Sequence, residues 1–148
     1  MRRWVEFKAQ APDLAAVGEQ LLYRPDSGEV AILATVDGTG KPRVAPVCPI
    51  FCAAGIYLSI GAHTPKLTHL RANGSFALHA LVGADDREFQ ISGSVRPVTT
   101  GAERDAVVAA IPFPSFDADD PLFELLLERA VAVTWSETGS AKQVWRAD

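Results

Sequence analysis

Thr64, Pro65 and Lys66 are three consecutive residues whose types suit the binding of an anion. Threonine is a favoured N-cap and proline suits the first helical position, so a short helix is predicted from here to about Ala72. The unpaired N–H groups and the dipole at the start of a helix attract anions. With the Thr64 hydroxyl and the Lys66 ammonium added, the segment fits a phosphate monoester. The alternative is an ordinary cap followed by a solvated lysine.

Arg43 is the second residue that suits a phosphate, because a guanidinium group binds phosphate oxygens in pairs. It lies just inside a strand predicted over residues 43–51. If that strand forms a hairpin with the next one, which carries Ser59, Arg43 is expected to reach the same phosphate. The alternative is a surface arginine beside the turn predicted at residues 37–40.

Three prolines, Pro42, Pro46 and Pro49, interrupt this second strand. Proline has no N–H group for a β-ladder and is tolerated mainly at edges and bulges. We therefore expect one side of the strand to face a ligand or a partner chain.

The elements that must position these residues follow from hydrophobic periodicity and from turn residues. Strands are predicted at 30–36, 43–51, 56–60, 75–82, 88–98 with a break at Gly93, 130–136 and 142–146. Helices are predicted at 12–23, 65–72, 100–111 and 122–128, with a stop at 24–28, a turn at 53–55 and a cap at Thr100. Antiparallel strands joined by short loops predict a mainly β fold, a small closed or split β-barrel of six to seven antiparallel strands with flanking helices.

The composition limits the classes of function. The chain of 148 residues has the length of a single domain and a formal net charge of −4. That balance disfavours nonspecific binding to nucleic acid or to an anionic membrane. No apolar run reaches the roughly 20 residues of a membrane helix, and the N-terminus lacks the apolar region of a signal peptide. We therefore expect a cytoplasmic protein.

The charge is unevenly distributed along the chain. Residues 30–82 contain four basic residues and one acidic residue, although acidic residues outnumber basic ones overall. A basic island in an acidic chain indicates an anionic small ligand. Cys48 and Cys52 lie four apart on one predicted strand, about 13 Å from each other, which is too far for a disulfide. They are predicted to be packed free thiols.

Three segments carry a family resemblance; they read LATVDGTGKPRVAPV, IYLSIGAHTPKLTHLRANGSFALHAL and EFQISGSV. In this order they resemble the pyridoxamine 5'-phosphate oxidase-like, FMN-binding split-barrel superfamily, over residues 30–98. The resemblance implies one FMN-binding split-barrel domain over residues 1–148. It also implies a homodimer with flavin sites at the subunit interface.

The resemblance also implies which residues hold the cofactor and what the protein does. The implied cofactor-binding residues are Arg43, Val44, Ala45, Pro46, Ser59, Ile60, Gly61, Thr64, Pro65 and Lys66, and His63 is a further candidate beside the phosphate. The implied function is that of an FMN-dependent oxidoreductase acting on a small-molecule substrate. Alternatives within the same fold are a deazaflavin (F420)-dependent reductase and a non-catalytic protein that binds flavin or haem. An empty structural dimer is a further alternative.

The remaining chemistry-bearing residues give weaker signals. In the oxidase proper a second basic residue stands beside the lysine, where this chain has Pro65, and Trp145 and Arg146 are candidates for its C-terminal substrate-binding pair. His69 is expected to be exposed or to lie on a helix face, and His79 to be an interior or interface histidine. The aspartates of residues 117–120 are better explained by helix capping than by metal binding, so no metal site is predicted.

Overall fold

The computed structural model describes residues 1–23, 30–52, 55–99 and 101–148. Within these residues the elements are α1 (Trp4–Gln10), α2 (Pro12–Leu22), β1 (Ala31–Val36), β2 (Pro42–Val47), β3 (Ile50–Cys52), β4 (Gly55–Ser59), α3 (Pro65–Ala72), β5 (Ser75–Ala80), β6 (Glu88–Val98), α4 (Gly101–Ala109), β7 (Leu122–Ser136) and β8 (Gly139–Arg146). The helix stop at 24–28, the turn residues 53–54 and the cap at Thr100 lie outside the described residues.

The strands form one antiparallel sheet in the order β2-β1-β5-β6-β7-β4-β3, and β8 pairs with β7. The 15-residue strand β7 pairs with β6 along one edge. Its other edge is divided between β4 at one end and β8 at the other. The sheet curls without closing, so the predicted split β-barrel with flanking helices is confirmed. No helix in the described part of the chain is long and apolar enough to cross a membrane.

The inner face of the sheet packs against α1, α2 and α3. Alternate residues of each strand point inward, as the pleat of a β-strand requires, and Leu33, Leu78 and Ile91 are each at most 1% exposed. Helix α1 was missed by the sequence reading, although its Trp4 and Phe7 are buried against these strands. The two N-terminal helices thus close one side of the half-barrel.

A second apolar cluster covers the outer side of β3, β4 and β7. It joins Ile50, Tyr57, Val98, Val107 and Leu122, with Phe113 and Phe116 packed against them. Helix α4 and the loop that follows it therefore lie over this part of the sheet. The loop places several of its side chains next to the end of β4.

One of the predicted helices is wrong. Residues 122–128 are the first half of β7 and not a helix. This leucine-rich run is buried on both faces, and burial of both faces removes the alternation that distinguishes a strand from a helix. Consequently, the aspartates of residues 117–120 form a turn, in which the Asp117 N–H bonds Asp120 Oδ2 at 3.3 Å, and do not cap a helix.

The predicted strand 43–51 is divided into β2 and β3 by Cys48 and Pro49. Its predicted hairpin with the strand of Ser59 forms only at its end, where β3 pairs with β4. The part that carries Arg43 is wrong, because β2 pairs with β1 at the other end of the sheet. The two cysteines are free thiols, although they do not share one strand. The break at Gly93 corresponds to a register shift between β6 and β7.

Candidate functional site

A cavity of about 200 Å³ lies between the edge strand β2 and the start of α3. We call it the cationic cavity, and its lining residues are Thr35, Arg43, Val44, Ala45, Pro65 and Lys66. Arg43 and Lys66 provide two positive charges, and no carboxylate is among these lining residues. The two cations that the sequence singled out are therefore brought together, although not by the hairpin that was expected.

The start of α3 offers one free backbone donor, the Lys66 N–H, because Pro65 has no N–H and the Leu67 N–H donates to the Thr64 carbonyl oxygen at 3.1 Å. The helix begins at Pro65 with Thr64 in the extended N-cap conformation, as predicted. However, the Thr64 hydroxyl does not cap the helix, because it donates to the Gly61 carbonyl oxygen at 2.9 Å. The Thr64 side chain thus satisfies no first-turn N–H group, and a bound anion would supply an acceptor for the Lys66 N–H.

A larger cavity of about 440 Å³ adjoins the cationic cavity, since Lys66 lines both. We call it the loop-walled cavity; its lining residues are Val30, Pro46, Val47, Cys48, Ser59, Gly61, Lys66, Phe113, Ser115 and Asp120. Pro46 from β2 and Ser59 from β4 meet here because the sheet curls. The wall formed by the loop after α4 was not predicted, because nothing in the sequence of Phe113 or Ser115 distinguishes a cavity wall from a surface loop.

The other predicted residues have different surroundings. His63 is exposed and lines a third cavity with Thr64 and Pro65, and Pro65 also lines the cationic cavity. Ile60 is fully buried in the core, and its N–H donates to the Pro121 carbonyl oxygen at 3.0 Å. The Ile60 side chain therefore lines none of these cavities.

Thr35, which lines the cationic cavity, forms a buried polar pair with His69. Thr35 Oγ1 and His69 Nδ1 are 2.9 Å apart, with the two residues 4% and 8% exposed. Of the two alternatives for His69, exposure is wrong, because the face of α3 that carries this residue is turned toward β1. Thr35 was also missed, although it is a polar residue in register with the inward-facing Ala31 and Leu33.

The sequence profile of the family described as pyridoxamine 5'-phosphate oxidase matches residues 19–135. That match spans most of the chain, from α2 to the end of β7. The chain belongs to the pyridoxamine 5'-phosphate oxidase family. No curated protein gives a significant sequence match.

Solved structures of this fold include proteins with several different ligands. PhzG from Burkholderia lata 383, solved with tetrahydrophenazine-1-carboxylic acid, is 10% identical with a TM-score of 0.66, and the match covers 100% of this chain and 88% of that one. The haem storage protein HutZ from Vibrio cholerae is 16% identical, with a TM-score of 0.60 and coverages of 84% and 94%. A pyridoxamine 5'-phosphate oxidase-related, FMN-binding protein from Nostoc punctiforme PCC 73102 is 11% identical, with a TM-score of 0.57 and coverages of 90% and 95%.

This member of the pyridoxamine 5'-phosphate oxidase family also contains an ionic cluster that the sequence did not reveal. Glu124 is fully buried in β7, and its Oε1 accepts a hydrogen bond of 2.6 Å from Arg3 Nε. Its Oε2 accepts one of 2.9 Å from Arg96 Nε. Glu103 of α4 bonds both arginines, and Tyr57 donates to Glu103 Oε1 at 3.1 Å. The cluster ties α1, β4, β6, β7 and α4 together.

The ionic cluster fixes the protonation states of Glu103 and Tyr57. Hydrogen bonds from Arg96 hold the pKa of the Glu103 carboxyl below its usual range. Burial, followed by the charge of Glu124, raises the pKa of Tyr57 to about 12. At neutral pH Glu103 is therefore ionised, and Tyr57 keeps the proton that it donates. The cluster lines an open cleft of about 640 Å³, but its charges are balanced within it, which indicates a structural role.

Trp145 is one of the two predicted candidates for a C-terminal substrate-binding pair. The ring centroids of Trp145 in β8 and Phe7 in α1 are 4.8 Å apart, and Trp145 Nε1 donates to Gln10 Oε1 at 3.0 Å, so the Trp145 side chain joins β8 to α1.

Among the described residues, no group of three or more His, Cys, Asp or Glu side chains is placed to hold a metal ion.

Proposed function

We propose that this protein binds FMN, with the phosphate in the cationic cavity and the isoalloxazine ring in the loop-walled cavity. The observation that carries the proposal is the convergence of Arg43, Lys66 and the start of α3 on one small cavity. Two cations and the N–H of Lys66 at the helix start match the charge and the acceptor oxygens of a phosphate monoester. Membership of the pyridoxamine 5'-phosphate oxidase family and an FMN-binding structure of the same fold support the same cofactor.

The loop-walled cavity has the size and polarity that suit the ring. Its volume of about 440 Å³ lies within the range of small-molecule sites, which are mostly apolar with a few polar groups. Pro46, Val47 and Phe113 supply apolar surface, while Ser59 and Ser115 supply hydroxyl groups. Because Lys66 lines both cavities, a ligand that spans them would pass beside its side chain.

We further propose that the protein is an oxidoreductase, in which bound FMN would supply the capacity to accept and donate electrons. The chain's own residues would bind the phosphate, fix the ring and exclude water from it. Asp120 is the titratable group on the loop wall and would face a small-molecule substrate beside the ring. This assignment of roles requires no dedicated catalytic acid–base pair.

We also propose a homodimer, formed through the outer face of strands β2, β1, β5, β6, β7 and β8. Two registered rows make up this outer sheet face: Pro46, Ile32, His79, Gln90, Val131 and Val144, and then Val44, Ala34, Ala77, Ser92, Arg129 and Arg146. These residues alternate with the inward-facing core, so their side chains point away from it. Val44 is 68% exposed and Val144 is 44% exposed. A broad face rich in small and apolar side chains suits a second copy of the chain.

Lys66→Ala is expected to weaken FMN binding roughly 10- to 100-fold, because it removes a charge-assisted contact to the phosphate. Riboflavin, which lacks the phosphate, is expected to bind both proteins within about twofold of each other. Quenching of flavin fluorescence during titration measures both affinities. Lys41→Ala, an exposed lysine just before β2, is the matched control and is expected to change neither affinity.

Equal FMN affinity in wild type and Lys66→Ala would remove the proposed phosphate site. Parallel titrations with F420 and with haemin distinguish the alternatives. A wild-type protein that takes up F420 or haemin with high affinity and shows no preference for FMN over riboflavin would contradict the FMN proposal.

Ala77→Arg is expected to convert a dimer into a monomer, because it places a charge at the centre of the outer sheet face. Sedimentation velocity of wild type and variant at equal concentration measures the change. Val108→Arg, on α4 outside this face, is the control and should leave the dimer intact. A wild type that is monomeric at micromolar concentration while binding FMN would contradict the dimer proposal.

A further inference from the structure

Thr35 and His69 connect the two elements that carry the cations of the cationic cavity. Thr35 on β1 lies directly opposite Arg43 in the antiparallel register of β1 and β2. His69 lies three residues after Lys66 on α3, about one helical turn further along. The hydrogen bond of 2.9 Å between Thr35 Oγ1 and His69 Nδ1 is thus a link between the Arg43 side and the Lys66 side of the cavity.

On its core side this link is surrounded by apolar residues. Leu67 and Leu70 of the same helix pack into the core, as do Ala31 and Leu33 of the same strand. Two apolar side chains of similar volume would fill the space without the cost of burying polar groups. Unlike such packing, a hydrogen bond fixes the distance and the direction between its two atoms. The pair is therefore suited to fixing how α3 sits on β1.

We propose that Thr35 and His69 are positioning residues, which hold Arg43 and Lys66 at the separation that a phosphate group requires. The inference rests on the proposed function of the cationic cavity as the phosphate site. Thr35 also lines the cavity, whereas His69 lies outside its lining and would act through Lys66 on the same helix, so His69→Leu is the test free of direct ligand contact. Loss of the link would let α3 shift on β1, so the two cations would no longer converge on one group.

Four variants test the positioning role. Thr35→Val and His69→Leu each remove one partner, the double variant removes both, and Thr35→Ser retains the hydroxyl. For each protein the dissociation constants of FMN and riboflavin and the melting temperature are measured. Thr68→Val, an exposed residue beside His69 on the same helix, is the control.

The three variants without the link are expected to lose about tenfold in FMN affinity, while riboflavin binds within about twofold of wild type. The single variants should also melt at lower temperature, because each leaves a buried polar atom unpaired. The double variant should recover much of that loss of melting temperature without recovering FMN affinity. Thr35→Ser and Thr68→Val should retain the preference of wild type for FMN over riboflavin.

A purely structural role gives a different result. If FMN and riboflavin lose affinity equally, or if the double variant regains FMN affinity along with its stability, the positioning role is wrong. Lys66→Ala separates this outcome from a failure of the proposed function. If Lys66→Ala loses FMN affinity while Thr35→Val does not, only the positioning role is wrong. If Lys66→Ala retains its FMN affinity, both the positioning role and the proposed phosphate site are wrong.

Discussion

Glu124→Ala is expected to lower the free energy of unfolding by about 3 kcal/mol, because it leaves two arginines without their buried partner. Breaking a buried ion pair by removing one side costs roughly 3–5 kcal/mol. The lower end of that range applies here, because the Arg3 and Arg96 side chains are 39% and 40% exposed and solvent screens their charge. Urea unfolding followed by circular dichroism measures the change.

Glu128→Gln is the matched control for this prediction, since Glu128 lies on the same strand with an exposed side chain. We expect it to change the free energy of unfolding by less than about 0.5 kcal/mol. Glu124→Gln, which keeps the shape of the side chain, separates the effect of charge from that of lost volume. A loss below about 0.5 kcal/mol in both Glu124 variants would show that the ionic cluster does not stabilise the fold.

The ionic cluster illustrates what the sequence does not contain. Arg3 and Glu124 are distant in the sequence from each other and from the Arg96–Glu103 pair, whose members are seven residues apart. The four residues meet only because the sheet curls and α4 packs onto it. No local spacing indicates such a cluster. Glu124 also lies in a leucine-rich run that was predicted as a helix, and a helical reading gives it different neighbours from those of β7.

The cationic cavity was more accessible to prediction, because its parts are local. A threonine, a proline and a lysine in succession define a helix start from capping preferences alone, and the helix begins where it was expected. A glycine-containing turn after β1 likewise places Arg43 at the start of β2. The position of Ser59 was not accessible in this way. It depends on the curvature of the whole sheet, and the expected hairpin between its strand and β2 does not form.

Thr35 could be predicted in part. Burial alternates along its strand, and Thr35 occupies one of the positions that the alternation predicts to be buried. That position indicates a buried polar group in need of a partner, and helix α3 supplies it through His69. The partner itself could not be read from the sequence, because the helical face of α3 that packs on β1 is set by tertiary contacts.

Gly93→Ala is expected to destabilise the fold by about 3 kcal/mol, because the added methyl group has no space. A Cβ atom at residue 93 would lie 1.9 Å from the carbonyl oxygen of Leu126 and 3.0 Å from the Glu128 nitrogen. Both atoms belong to the backbone of β7, so no side-chain rotation can relieve the contact, and overpacking of this kind costs about 1–3 kcal/mol or more. Gly38→Ala, in the turn after β1 with nothing within 4 Å of its added Cβ, is the control and should change stability by less than about 0.5 kcal/mol.

Gly93 also has a consequence for the candidate site, because it marks a bend in the sheet. Ser92 pairs with Arg129 and Gly93 pairs with Leu127, so Glu128 is an extra residue on β7. Such a bulge bends and twists the strand that contains it. Before the bulge β7 pairs with β4, which carries Ser59, and after it β7 pairs with β8. We therefore expect Gly93→Ala, measured below its melting temperature, to weaken FMN and riboflavin binding by the same factor. A selective loss of FMN affinity would mean that the bend acts on the cationic cavity and not on the loop-walled cavity.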